Sequence, residues 1–296
     1  MGEAVGPTSG RVLRIVRYPL VLAVIEFAVL IVAASFSSML GHRFIAVKDT
    51  PLVTLGGLFV ALTTIGVFIL CRQAIEGKRG PGDFALAGAG KELGAGLALG
   101  FALFSAATGV IALLGGLTVI GPQGMGHLWS MLAMAVVSGV TEEVLFRGVL
   151  FRHLETVLGS WGALAITAAL FGAGHLANPH ASAFAAFAIA IEAGIMLGAA
   201  YMLTRRLWLA IGIHAAWNFT QGWIFSIPVS GTAAPVGLFA STRSGPDWLT
   251  GGAFGLEASV VALVVATAAG LVLLSMAVRR GKVMAPSWAR KSVSGG

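Results

Sequence analysis

Glu142, Glu143 and Arg147 stand within six residues of one another, in Thr141-Glu142-Glu143-Val144-Leu145-Phe146-Arg147-Gly148, inside an otherwise apolar run. Carboxylates in such a place can take or give a proton, the chemistry of a general base or acid. On a helix, neighbouring side chains diverge by roughly 100°, so Glu142 and Glu143 serve different places. Glu143 and Arg147 are spaced i,i+4, acid before base, and share a face. They are expected to form an internal ion pair, leaving Glu142 free to point into a bundle. The same octapeptide would also serve as a polar knot that ties helices together.

Few other ionisable groups lie in apolar runs. His175 ends Phe171-Gly172-Ala173-Gly174-His175. His214 and Asn218, four residues apart in His214-Ala215-Ala216-Trp217-Asn218, lie on one helical face. Imidazoles and amides can donate to developing negative charge; they also hydrogen-bond one helix to another. At about 1.5 Å per residue, Glu142, His175 and His214 fall near the middle of a bilayer, so a constellation of Glu142, His175, His214 and Asn218 is sterically feasible. Gly172, Gly174, Gly194 and Gly198 would let helices approach there. Glu26 and Glu192 are read as structural, and Glu257 lies near the start of the last span. His42, His127, His153 and His180 are expected at the interface.

The elements that must position these groups are membrane helices. The chain has 296 residues, 57% hydrophobic and only 10% charged, with a mean hydropathy of +0.91. Soluble domains carry about 25% charged residues. The expected fold is all-α, a polytopic helical membrane bundle of about eight spans with a polar cavity: roughly 18–40, 52–71, 92–119, 127–151, 161–177, 183–203, 206–225 and 254–277. Residues 1–18 are expected to be a disordered and basic interfacial N-terminus. Residues 19–278 would form the bundle, with its motif core at 127–225, and 279–296 a basic tail. The run after Arg17 is too long for a signal peptide.

The net charge of +7 is no nucleic-acid signature, because the basic residues flank apolar runs. With eight spans, sixteen Lys and Arg fall on one side and three on the other, which places both termini in the cytoplasm. The single cysteine, Cys71, excludes an intrachain disulfide.

The polar set in this order resembles the CAAX prenyl protease and bacteriocin-processing family of intramembrane proteases. The matching motifs are Glu142-Glu143 with Arg147, Phe171 with His175, and His214 with Asn218. That resemblance implies a bundle with a water-filled cavity, and cleavage of a peptide bond near the C-terminus of a membrane-associated substrate. It further implies that Glu142 and His175 activate water while His214 and Asn218 stabilise the oxyanion. Glu143 and Arg147 would hold the helix in register. The family is often described as metal-dependent, and Glu142, His175 and His214 could supply a zinc set with water in the fourth position. No His-x-x-x-His or His-Glu-x-x-His helix is present, which favours metal-free catalysis.

Two other classes stay open at this level: a proton-coupled transporter, and a non-proteolytic immunity or scaffold protein. The lack of an internal repeat disfavours the first. The expected partners are the bilayer and a peptide substrate, prenylated or not. The sequence does not give the oligomeric state.

Overall fold

The computed structural model describes residues 17–44, 49–80 and 82–290. The residues of the expected N-terminal arm up to 16, and the tail from 291, lie outside that range. Helix α1 is Pro19–Phe44 and α2 is Pro51–Ala74, which starts on a proline where no intrahelical N–H is needed. Helix α3 is Ala89–Leu113. Helix α4, Leu128–Glu143, runs through a π-wound segment, Val144–Phe151, into α5, Arg152–Gly174. Helix α6, Ala183–Ile189, passes through a second π segment, Ala190–Ile195, into α7, Met196–Thr204. Helix α8, Trp208–Phe219, ends in a third, Thr220–Ile224. After a short α9, Asp247–Thr250, helix α10 spans Val260–Arg279.

Among the described residues, six helices are long and apolar enough to cross a membrane: Pro19–Gly41, Pro51–Ala74, Ala89–Leu113, Leu128–Ala177, Ala183–Thr204 and Val260–Arg279. The architecture is therefore the expected helical membrane bundle. Leu128–Ala177 covers two of the eight expected spans. It breaks at Gly159, where φ is 72° and ψ 174° and a Cβ would stand 2.7 Å from the Met284 carbonyl. Trp208–Ile224, the expected seventh span, is shorter than the six.

The third expected span ends early. Helix α3 stops at Leu113, and Leu117–Pro122 forms strand β1, antiparallel to β2, Phe239–Arg243. Leu117 faces Arg243 and Val119 faces Ser241, with a bulge before Gly121. The apolar Leu-Thr-Val-Ile suits a strand as well as a span, since β-branched residues pack well on a pleat.

Helices α3 and α8 pack most closely of all. A Cβ on Gly96 would lie 2.4 Å from the Leu209 carbonyl, and one on Gly100 2.3 Å from the Ile213 carbonyl. His214 and Asn218, on the same helix α8, are buried. Of the four glycines expected at helix contacts, Gly172, Gly194 and Gly198 are confirmed: a Cβ would meet the Ala186 carbonyl, Ala168 and Leu164 respectively. Gly174 has open space beside it.

One end of the bundle is tied by ions rather than apolar contact. Arg152 donates to Glu76 at 2.6 Å and to Glu26 at 3.2 Å, and His153 lies 3.1 Å from Glu26. His153 and Glu26 are buried, so His153 is part of this network and not interfacial; the helix ends that carry them pack together. Lys78 also reaches Glu76, at 2.7 Å. Burial alone would raise the pKa of Glu76. The hydrogen bond and charge of Arg152, joined by Lys78, outweigh it and bring it down from 4.5 to about 2. A carboxyl with a lowered pKa in the folded state stabilises the fold above its unfolded value, and that stability is lost as pH falls through the folded one. Acid unfolding in detergent should thus begin as pH drops below about 4.5, the ordinary value of Glu76. Glu76→Gln should flatten that acid limb, and an unchanged limb would remove Glu76 from the account.

Candidate active site

The octapeptide sits where α4 gives way to its π segment. Glu143 ends α4 and is fully buried, whereas Glu142, one residue back, keeps its side chain 32% exposed. The two carboxylates diverge, as helical geometry requires.

Glu143 anchors the polar cluster. Arg147 Nη1 donates to Glu143 Oε1 at 2.8 Å, in the expected i,i+4 pair. Arg147 Nη2 donates to the carbonyls of Ala193 and Gly194, at 3.0 and 3.2 Å, on the π segment before α7. Its guanidinium lies 4.7 Å from the centroid of the Phe171 ring. Arg147 thereby joins three helical stretches that are far apart in sequence. This arrangement satisfies most of a buried guanidinium's donors, which a charge at that depth demands.

His214 Nδ1 lies 2.9 Å from the same Glu143 oxygen. A carboxylate accepts, so Nδ1 carries the proton and donates. The second ring nitrogen, Nε2, is then directed 3.9 Å from Glu142 Oε2. Asn218, one turn further along α8, donates from Nδ2 to Ser138 Oγ at 3.0 Å, which leaves its other N–H free. His175 Nδ1 donates to the Phe171 carbonyl at 2.7 Å. A carbonyl can only accept, so in neutral His175 the lone pair is on Nε2. The Phe171 ring packs against both imidazoles, with centroids 4.9 Å from His175 and 6.1 Å from His214.

His175, His214 and Asn218 line one cavity of about 40 Å³. A water needs roughly 10–15 Å³ measured this way, so there is room for the attacking molecule of a hydrolysis. Glu142 approaches the cavity through His214. The structure thus brings His175, from the turn after α5, to one cavity with His214 and Asn218 of α8, while Glu142 is not part of that lining and meets the group at His214.

Two further acids line the cavity, Glu192 on the Ala190–Ile195 segment, which the sequence reading takes as structural, and Glu257 before α10, to which it gives no role. Isolated acids with no partner at helical spacing carry no pairing signal. Their depth in apolar runs was the one available hint.

Among the described residues, the acid and histidine group whose ligand atoms lie within 4.8 Å of one another is Glu26, Glu76 and His153, where Arg152 already bonds both carboxylates. Glu142, His175 and His214 do not form such a group, so the zinc set considered from the sequence does not fit this arrangement.

Residues 124–220 match the family model described as Type II CAAX prenyl endopeptidase Rce1-like. The matched stretch is about a third of the chain and contains all three motifs. No match is found among curated proteins or among solved structures.

Proposed function

Taking residues 124–220 as a segment of the Rce1-like family, we propose that this membrane protein is an intramembrane endopeptidase that hydrolyses a peptide bond of a membrane-associated substrate. The observation that carries this reading is the shared cavity. His175, His214 and Asn218 line it together, and Glu142 lies 3.9 Å from His214.

Glu142 takes a proton from water, with the lone pair of His175 Nε2 orienting that water or sharing the proton. The water oxygen bonds to the scissile carbonyl carbon. Negative charge builds on the carbonyl oxygen, where the free N–H of Asn218 donates to it. His214 adds a second donor from Nε2 when doubly protonated, and Glu143 balances its charge. Collapse of the intermediate breaks the C–N bond, and the proton held by Glu142 passes to the leaving amine. Glu143 and Arg147 touch no substrate in this scheme and act by positioning His214. The excess of Lys and Arg on one side supports cytoplasmic termini.

The test compares membrane peptides from cells producing the wild-type protein or Glu142→Ala. The expected result is a set of peptide termini present only with the wild type. Identical sets would overturn the assignment of Glu142, and loss of solute flux in their place would favour a transporter.

A further inference from the structure

The proposed hydrolysis leaves Glu192 without a task. Its side chain lines the cavity, yet the residue is only 2% exposed. Glu192 Oε2 has no hydrogen-bond partner among the described residues. Glu257 lines the same cavity from the turn Leu256–Ala258 and accepts the backbone N–H of Ser230. Ser230 holds the left-handed φ of 48° at this point and also lines the cavity.

A buried carboxylate without a donor is costly, and a chain keeps one where a ligand can supply that donor. Among the described residues none donates to Glu192 Oε2. Arg147 is committed to Glu143 and to two carbonyls. Two acidic side chains line the cavity, and no lysine or arginine among the described residues does. The rest of the wall is apolar, with Ile189, Met196, Leu197 and Trp217. Apolar walls beside acidic groups suit a methylene stem tipped by a charge. An ammonium group is about the size of a water, which the volume of about 40 Å³ admits.

We propose that Glu192 and Glu257 form an acidic subsite for a lysine side chain of the peptide substrate. This deepens the endopeptidase reading and rests on it. Such a preference follows from leaving a buried polar group unpaired whenever an apolar analogue binds, which rejects the analogue strongly.

The experiment uses the full chain in detergent and a set of apolar peptides in which one lysine, or one norleucine, is moved along the sequence. Binding is measured with Glu142→Gln, and cleavage with the wild type. The expected result is binding at least about tenfold tighter for lysine than for norleucine at one position. Glu192→Gln, or Glu257→Gln should Glu192→Gln fail to fold, should abolish that difference. Equal binding of the two peptides at every position would overturn the subsite, as would a lysine preference that survives both substitutions. Peptide cleavage that persists in Glu142→Gln would instead overturn the catalytic assignment, while the binding difference would stand.

Discussion

Glu142→Gln should slow peptide hydrolysis by about 10²–10⁴-fold, the usual contribution of a positioned general base. The substitution keeps the shape of the side chain and removes only its capacity to take a proton. Glu142 is also the more exposed of the two acids, with 32% of its side chain open, so the fold should tolerate the change. The loss should fall on kcat, because Glu142 acts on water and not on the peptide. Thermal unfolding should stay close to wild type. A variant that unfolds early, or one that changes KM alone, would move Glu142 from the chemistry into the scaffold. Glu143→Gln is the informative partner. Glu143 bonds Arg147 and His214, so that variant should lose both activity and stability.

The second large effect belongs to Arg147. Arg147→Met leaves Glu143 fully buried with only His214 beside it, and it removes the Arg147 donors from the Ala193 and Gly194 carbonyls. Breaking a buried pair from one side costs about 3–5 kcal/mol. The expected result is a clear fall in the unfolding temperature in detergent. The double variant Glu143→Gln with Arg147→Met should recover part of that fall, since no unpaired charge then remains. A single variant as stable as wild type would mean that Glu143 is neutral in the fold, and the positioning role given to the pair would fail.

The intramembrane charges made much of this legible from the sequence. Ionisable residues are expensive in apolar runs, so Glu142, Glu143, Arg147, His175 and His214 stood out without any structure. Helical spacing then gave the Glu143–Arg147 pair and the shared face of His214 and Asn218. Other features depend on contacts across the chain. Strand β1 pairs with a partner more than a hundred residues away, and its apolar residues extended the third span in sequence. The three π segments follow Glu143, contain Glu192 and follow Asn218. A change of winding by one residue per turn leaves no mark in composition, although π segments are frequent at functional sites. Glu192 and Glu257 gain meaning only once α7, α8 and the turn before α10 close round one cavity. The network of Glu26, Glu76, Arg152 and His153 joins α1, the end of α2 and the start of α5, a convergence no local spacing encodes.

Hydrolysis run in ¹⁸O-labelled water is the most direct test of catalysis at Glu142. Purified protein in lipid vesicles is given a membrane peptide, and the products are weighed by mass spectrometry. The expected result is one heavy oxygen in the newly formed carboxyl terminus with the wild type, and none above background with Glu142→Gln. Label incorporated equally by both proteins would contradict the role assigned to Glu142.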